Sequence, residues 1–387
     1  MPFMSRIALN FFVVLLAITA GIYQFYIKDL MILLGYNRIV ESIGNENCRK
    51  VPELKACEDM VLHEPSGLLF LACSEPQRRI QWLPAVNRLN TAGASKDSFV
   101  VYNPETSQIT KLKLSGLDDN LGFSSHGIDI VTSASNSSEL FVFLVNHRPQ
   151  SDAEKRGADS VVEIFKHTIN TDKLEHIKTL SNPLVSTPND IIGSDDGKSF
   201  FLTNDHGQKV GFARHLDIPF GRKTTSVVYC HVNEGCKYAI QGMSGNNGIA
   251  RAPNGTFYVG SISVGLTVLE RQTDNTLVVT DIIKTDRGMD NLSIDSEGHV
   301  WAASFPKILI TVGKHFEDPS LPAPSSALRF SINTGPNAFY GEKYKVDKAF
   351  EDDGHIASGI TTVVHDARHR RLFLHGLAAS HLTICEV

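Results

Sequence analysis

Residues Asn189–His206 read NDIIGSDDGKSFFLTNDH. Two polar residues lead into an aliphatic run, a Ser-Asp-Asp-Gly turn follows, and a strongly apolar run returns to polar residues. Short apolar runs bounded by such turn residues describe a β-hairpin. The same grammar recurs in EDMVLHEPSGLLFLACS from Glu58, HGIDIVTSASNSSELFVFLVNH from His126 and NGIARAPNGTFYVGS from Asn247. It recurs again in DNLSIDSEGHVWAAS from Asp290 and SGITTVVHDARHRRLFLHG from Ser358. The turn glycine falls 8 residues after the first position in three copies (Gly197, Gly255, Gly298) and 9 in the first (Gly67). The copies from His126 and Ser358 have longer turns without it.

First positions lie 68, 63, 58, 43 and 68 residues apart. Each interval holds the hairpin and about two more strands, such as SFVVYNPETSQITKLKL from Ser98 and LTVLERQTDNTLVVTDII from Leu266. Four strands per repeat and six repeats predict an all-β, six-bladed β-propeller. Radial repetition also explains how one domain exceeds the usual ~100–200 residues. The expected division is residues 1–44, a hydrophobic segment with its linker, and residues 45–387, the propeller.

Hydrophobic residues make up 42% of the 387 and charged residues 20%, the composition of a globular chain with a core. Lys+Arg is 37 against Asp+Glu 42, a formal charge of −5. No basic excess exists to hold a phosphate backbone, which sets nucleic acid aside as a partner.

Ile7–Ile27 is a 21-residue stretch without a formal charge, with Arg6 before it and Lys28-Asp29 after. About 20 apolar residues in a helix span a bilayer core. Thr19-Ala20-Gly21 also offers small residues where a signal peptidase could cut. A cleaved signal and a retained anchor are both open. Either sends the body into the secretory pathway, extracellular or lumenal, and Arg6 favours a cytoplasmic N-terminus. Six cysteines suit that oxidising compartment and allow 15 pairings. Cys230 and Cys236 bracket a short turn, Cys57 and Cys73 sit at opposite ends of the first hairpin, and Cys48 and Cys385 lie near the two ends of the body. Asn136, Asn254 and Asn291 open N-x-Ser/Thr triplets; Asn136 and Asn254 are the expected glycosylation sites.

In a propeller the first strand of each repeat lines the central channel. Position one of the copies should therefore ring one mouth: Glu58, His126, Asn189, Asn247, Asp290 and Ser358. Position two carries Asp59, Gly127, Asp190, Gly248, Asn291 and Gly359. The returning strands bring Asn146-His147, Asn204-Asp205-His206, Ser304-Phe305 and His375 to the same end. Carboxylate and amide oxygens converging from several blades suit Ca²⁺, which takes 6–8 oxygen ligands. Zinc would want His and Cys. Local strand capping explains one such residue; six in agreement ask for more.

Glu58-Asp59-Met60, His126-Gly127-Ile128, Asn146-His147, Asn189-Asp190-Ile191, Thr203-Asn204-Asp205-His206, Asn247-Gly248-Ile249, Asp290-Asn291-Leu292-Ser293 and the terminal Cys385-Glu386-Val387 appear in blade order. On these fragments the chain from about Asn45 to Val387 resembles the serum paraoxonase/arylesterase family, calcium-dependent propeller hydrolases of lactones and aryl esters. The resemblance implies two calcium ions. One would be catalytic, on Glu58, Asn189, Asn247, Asp290 and Asn291. The second would be structural, on Asp59, Asp190 and the carbonyl of Ile128. It further implies a His126–His147 dyad, a Cys48–Cys385 bond and a small-molecule lactone or aryl ester substrate. Membrane or lipid contact falls to the N-terminal segment. His126 would deprotonate water and His147 relay the proton, with a rate rising through neutral pH. The sequence departs from the family where an active-site His is replaced by Phe305, and in the basic stretch GQKVGFARHLDIPFGRKTT after His206. A sugar-lactonase, a strictosidine-synthase-like propeller and a non-catalytic tethered propeller with structural calcium are the competing readings.

Overall fold

The computed structural model of the chain describes residues 6–94, 97–336, 338, 341 and 343–387. Six antiparallel sheets surround a channel. Blade 1 runs, inside to outside, Cys57–His63, Leu68–Cys73, Ser98–Asn103 and Gln108–Lys111. Blade 2 is Ser125–Ser133, Asn136–Arg148, Asp159–Thr168 and Lys173–Leu180, with Lys113–Ser115 added in parallel. Blade 3 begins at Pro188–Gly193, blade 4 at Asn246–Arg251 and blade 5 at Gly288–Ile294. Blade 6 takes Thr362–Asp366, Arg371–His375 and Leu382–Glu386 from the C-terminus. Its outer strand, Cys48–Val51, comes from the start of the body.

That borrowed strand closes the ring. Cys48 pairs with Cys385 in register and is bonded to it across 337 residues of sequence. Cys57–Cys73 and Cys230–Cys236 join paired strands within blades 1 and 3.

Alternating strands turn one set of side chains toward each neighbouring blade, so the core is divided into wedges. Phe70, Phe99, Leu144 and Phe165 fill the wedge between blades 1 and 2. Ile191, Phe200 and Val162 fill the next, and Phe201, Phe257 and Val259 the third. Met289 and Phe330 lie between blades 4 and 5, Trp301 and Phe350 between 5 and 6, and Phe373 and Leu69 between 6 and 1. Each fully buried side chain of this size contributes ~1.5–3 kcal/mol.

At the channel the inner strands approach more closely than side chains allow. A Cβ on Gly127 would lie 2.5 Å from the Cα of Asp190, and one on Gly248 would lie 2.6 Å from the Cα of Asn291. Glycine at position two of blades 2 and 4 is what lets blades 3 and 5 come in.

The sixth repeat is placed differently from its sequence reading. Ser358 and Gly359 do not occupy the channel position. Thr361 does: it receives the Asn291 amide on its carbonyl at 2.9 Å, and its hydroxyl donates to the Glu58 carbonyl at 2.8 Å. Ser358 instead accepts the Ala323 amide at 3.0 Å, and Gly359 turns at φ 52°. Ser-Gly-Ile imitates the Asn-Gly-Ile of blade 4 while serving a turn before the strand.

Ahead of the propeller, Ala8–Leu33 forms one helical rod, long and apolar enough to cross a membrane, with a π-helical turn at Tyr23–Ile27. Its exposed Leu, Phe and Val side chains face no part of the body over residues 11–16. The linker after it is fastened to blade 5. Arg38 donates to the Pro306 carbonyl at 2.8 Å, and the Glu41 amide donates to Glu351 at 2.9 Å.

Candidate functional site

All inner strands start at one end of the channel, so their first residues meet there. Asn291 donates through Nδ2 to the carboxylate of Glu58 at 2.9 Å and to its carbonyl at 3.1 Å. His126 Nε2 stands 3.6 Å from the same carboxylate and 3.4 Å from the Asn189 amide. The Asn247 side chain bonds Asp290. All six of these side chains are buried. Four of their oxygens, Glu58 Oε2 and the Oδ1 atoms of Asn189, Asn247 and Asn291, receive no hydrogen bond from any described residue. A buried acceptor without a donor costs about 1–3 kcal/mol. These oxygens come from four blades, three on residues that line one pocket and the fourth on Asn291, which is bonded to Glu58 there, and together make a donor set that a hard cation could complete. The donor set fits Ca²⁺.

One residue further in, Asp59 and Asp190 behave differently. Asp59 accepts the amides of Met60 and Ile128, at 2.8 and 2.9 Å. Asp190 accepts those of Ile191 and Ile249, both at 2.7 Å. Each carboxylate caps its own strand and staples the next blade. Every one of their oxygens already has a donor, so a second ion here would use the remaining lone pairs.

Burial drives the electrostatics. It pushes Glu58 up to about 7, against the Asn291 hydrogen bond and the charge of Arg79. Asp59, Asp190 and Asp290 are raised well above the carboxylate range, first by burial and then by one another and Glu58. A cation placed among these four acids would favour their ionised forms.

His126 and His147 meet edge to face, with ring centroids 5.0 Å apart. His147 Nδ1 bonds Ser160 at 2.8 Å, while its Nε2 and His126 Nδ1 have no partner among the described residues. Burial, reinforced by Arg79, lowers His126 to about 3, and burial with His126 lowers His147. Burial thus favours the neutral form of both rings. Asp205, which sequence reasoning left without a role, faces both rings. Burial pushes it up, but its contact with His206 at 2.8 Å and the charge of Arg214 hold it below its usual value. Its negative charge favours the protonated form of both His126 and His147.

Above the oxygens the pocket, about 100 Å³, is apolar. Leu83, Val86, Ile218, Phe305, Phe316 and Leu377 line it. Phe305 therefore puts a ring where the family resemblance implied an imidazole. The basic stretch after His206 is mostly exposed, Arg222 and Lys223 included, but is anchored through Arg214. Arg214 is buried and donates to the carbonyls of Pro84 and Ala85, joining two rim loops, and Ile218 of the same stretch reaches the pocket.

Other candidates lie elsewhere. His375 is near the mouth, but its Nε2 donates to the Leu54 carbonyl at 3.1 Å and its Nδ1 accepts the Gly376 amide at 2.8 Å. Asp295, Glu297 and His299 gather at the opposite end of blade 5, closely enough to share an ion. Asp295 there already accepts Trp301 Nε1 and His365 Nδ1, each at 2.8 Å. Asn136 and Asn254 are exposed at turns, whereas Asn291 is buried on Glu58, so its triplet cannot carry a glycan.

A family model described as arylesterase matches residues 39–387. Human serum paraoxonase/arylesterase 2 is 27% identical over 354 residues, covering 88% of this chain and 92% of that protein. Human serum paraoxonase/lactonase 3 is 23% identical over 354 residues, covering 91% and 92%. Among solved structures, the major Malassezia sympodialis allergen Mala s 1 superposes with a TM-score of 0.53 at 11% identity, covering 88% and 95%. That likeness concerns the fold alone.

Proposed function

The chain belongs to the arylesterase family, and from that premise we propose that it is a calcium-dependent carboxylic ester hydrolase of lactones and aryl esters. One observation carries the calcium reading: four buried oxygens on Glu58, Asn189, Asn247 and Asn291 lack donors, the first three on residues that line one pocket with Asp290 and His126, and Asn291 is hydrogen-bonded to Glu58 beside it. Glu58, Asn189, Asn247, Asp290 and Asn291 would hold the catalytic ion. Asp59, Asp190 and the Ile128 carbonyl would hold a structural one. A bound Ca²⁺ would act as a Lewis acid, favouring negative charge on a carbonyl oxygen.

The chain's own groups do the rest. The apolar wall seats the acyl or aryl part and excludes bulk water. His126, neutral and buried, takes a proton from the attacking water, and His147 passes it on. Asp205 offsets the charge that appears on the rings. Ser160 fixes the orientation of His147.

The apolar helix and three disulfides fit the secretory pathway. We propose that the helix stays as an anchor, residues 1–44 forming the tether and 45–387 the hydrolase, a role that the length and apolarity of Ala8–Leu33 support. The test uses the full chain in detergent, with phenyl acetate and a δ-lactone as substrates and calcium titrated. Hydrolysis is expected, abolished by chelation and by Glu58→Ala or Asn291→Ala. No hydrolysis, with calcium still raising Tm, would establish a structural propeller. An unaffected His126→Gln variant would pass the base role to a carboxylate.

A further inference from the structure

Between the second and third strands of blade 1, the chain leaves the sheet and crosses toward blade 2. It carries a short helical turn, Pro76–Arg79, then Trp82. The Arg79 side chain is 3% exposed. Its Nη1 donates to the Ser125 carbonyl at 2.7 Å, and its Nη2 pairs with Asp97 at 3.1 Å. Asp97 in turn accepts the Ser125 amide at 2.9 Å and the Ser125 hydroxyl at 3.2 Å. The pair thus grips both sides of the residue immediately before His126. Three positions on, Trp82 Nε1 donates to the carbonyl of His147 itself at 2.9 Å. The two gripped stretches are also tied to each other, the His147 amide donating to Ser124 at 2.9 Å.

A buried ion pair is a poor source of stability, because desolvating two charges costs about as much as their attraction returns. Apolar residues would fill the same space. What the pair supplies is position. His126 lies where the pairing of its strand is irregular, between Ser125 and Ile128, and His147 is laddered on one side only, opposite Ser160, so both need support from outside the sheet.

We propose that the crossing Pro76–Leu83 is a brace for the two histidines. Arg79, locked by Asp97, and Trp82 are positioning residues that hold the backbone at Ser125 and His147, and so fix how the two rings meet. The proposal rests on the His126 reading above.

The test is a set of variants of the full chain at saturating calcium. A 1 Å misplacement of a catalytic group costs about 100-fold in rate. Arg79→Ala should therefore lower kcat by about 100-fold, with KM and calcium affinity changed less than about 3-fold. Added guanidinium should restore part of kcat by filling the vacated space. Trp82→Phe, which keeps an aromatic ring but deletes the Nε1–H hydrogen bond, worth about 1 kcal/mol, should cost roughly 5-fold or more. Arg79→Ala in a His126→Gln background should cost nothing further, since Arg79 acts through His126. A folded Arg79→Ala with normal kcat, a loss confined to KM, or an additive loss in the double variant overturns the brace. If Arg79→Ala does not fold, full activity of both Arg79→Lys and Trp82→Phe overturns it instead. A fully active His126→Gln sinks the underlying reading, whereas an inactive one beside fully active Arg79→Ala and Trp82→Phe sinks the brace alone.

Discussion

Gly248→Ala adds one methyl group between blades 4 and 5, at the floor of the oxygen cradle. The new Cβ would lie 2.6 Å from the Cα of Asn291, 2.6 Å from the Leu292 nitrogen and 2.7 Å from the Asp290 oxygen. Ordinary contact begins near 3.4 Å. The two inner strands must therefore part by about 0.7–0.8 Å, from 3.4 − 2.7 and 3.4 − 2.6. All three obstacles are backbone, so no side chain can turn aside. Overpacking of this kind costs about 1–3 kcal/mol. Asn247 sits on one side of the widened gap, and Asp290 and Asn291 on the other. Loss of one or two ligands at proper distance should weaken calcium binding at least 10-fold, the equivalent of ~1.4 kcal/mol. Calcium titration by calorimetry, with Tm recorded with and without the ion, reads both effects. Gly255→Ala is the control: its Cβ would meet nothing within 4 Å, although its φ of 87° makes the residue strained. That variant should lose stability alone. Wild-type calcium affinity in a folded Gly248→Ala would show that close approach of blades 4 and 5 does not set the cradle.

Replacing Cys48 and Cys385 with serine reopens a 337-residue loop and should cost about 2–5 kcal/mol; an unchanged Tm would show that the outer strand of blade 6 holds without its bond. Asp295 is held down to about 2, against burial, by hydrogen bonds from His365, Trp301 and the His299 amide. A lowered carboxylate stabilises the fold above its unfolded value near 3.8 and loses that contribution as pH falls through about 2. Asp295→Asn should therefore be less stable than the parent at pH 7, the gap closing between pH 4 and 2 in denaturant melts; a pH-independent gap would refute the assignment. Enzymatic removal of N-glycans from the secreted or membrane-bound protein should reveal sites at Asn136 and Asn254 and none at Asn291; a glycan on Asn291 would contradict its burial on Glu58.

Repetition made the architecture legible. A hairpin written six times with two further strands per interval has few ways to bury its faces, and a closed ring is the one that leaves no blade unpaired. The same repetition pointed to the channel mouth, because position in the repeat translates directly into position around the axis. Glu58, Asn189, Asn247, Asp290 and Asn291 were readable in this way, hundreds of residues apart. The method failed where local sequence imitated the pattern without its register, as at Ser358 and Gly359.

What lies off the repeat had no signal of its own. Arg79, Asp97 and Trp82 belong to an excursion with no counterpart in the other blades, and a basic pair of arginines in Glu-Pro-Gln-Arg-Arg reads as solvated surface. Only the tertiary structure turned Arg79 inward onto Ser125, brought Asp205 close enough for its charge to act on both imidazoles and placed Phe305 in the pocket wall. The sequence by itself determined the ring and which residues face its axis, since periodicity is a property of the chain. Burial, and with it the neutral state of His126 and the raised acids of the channel, was decided by packing, since desolvation depends on everything that surrounds a group and not on its place in the chain.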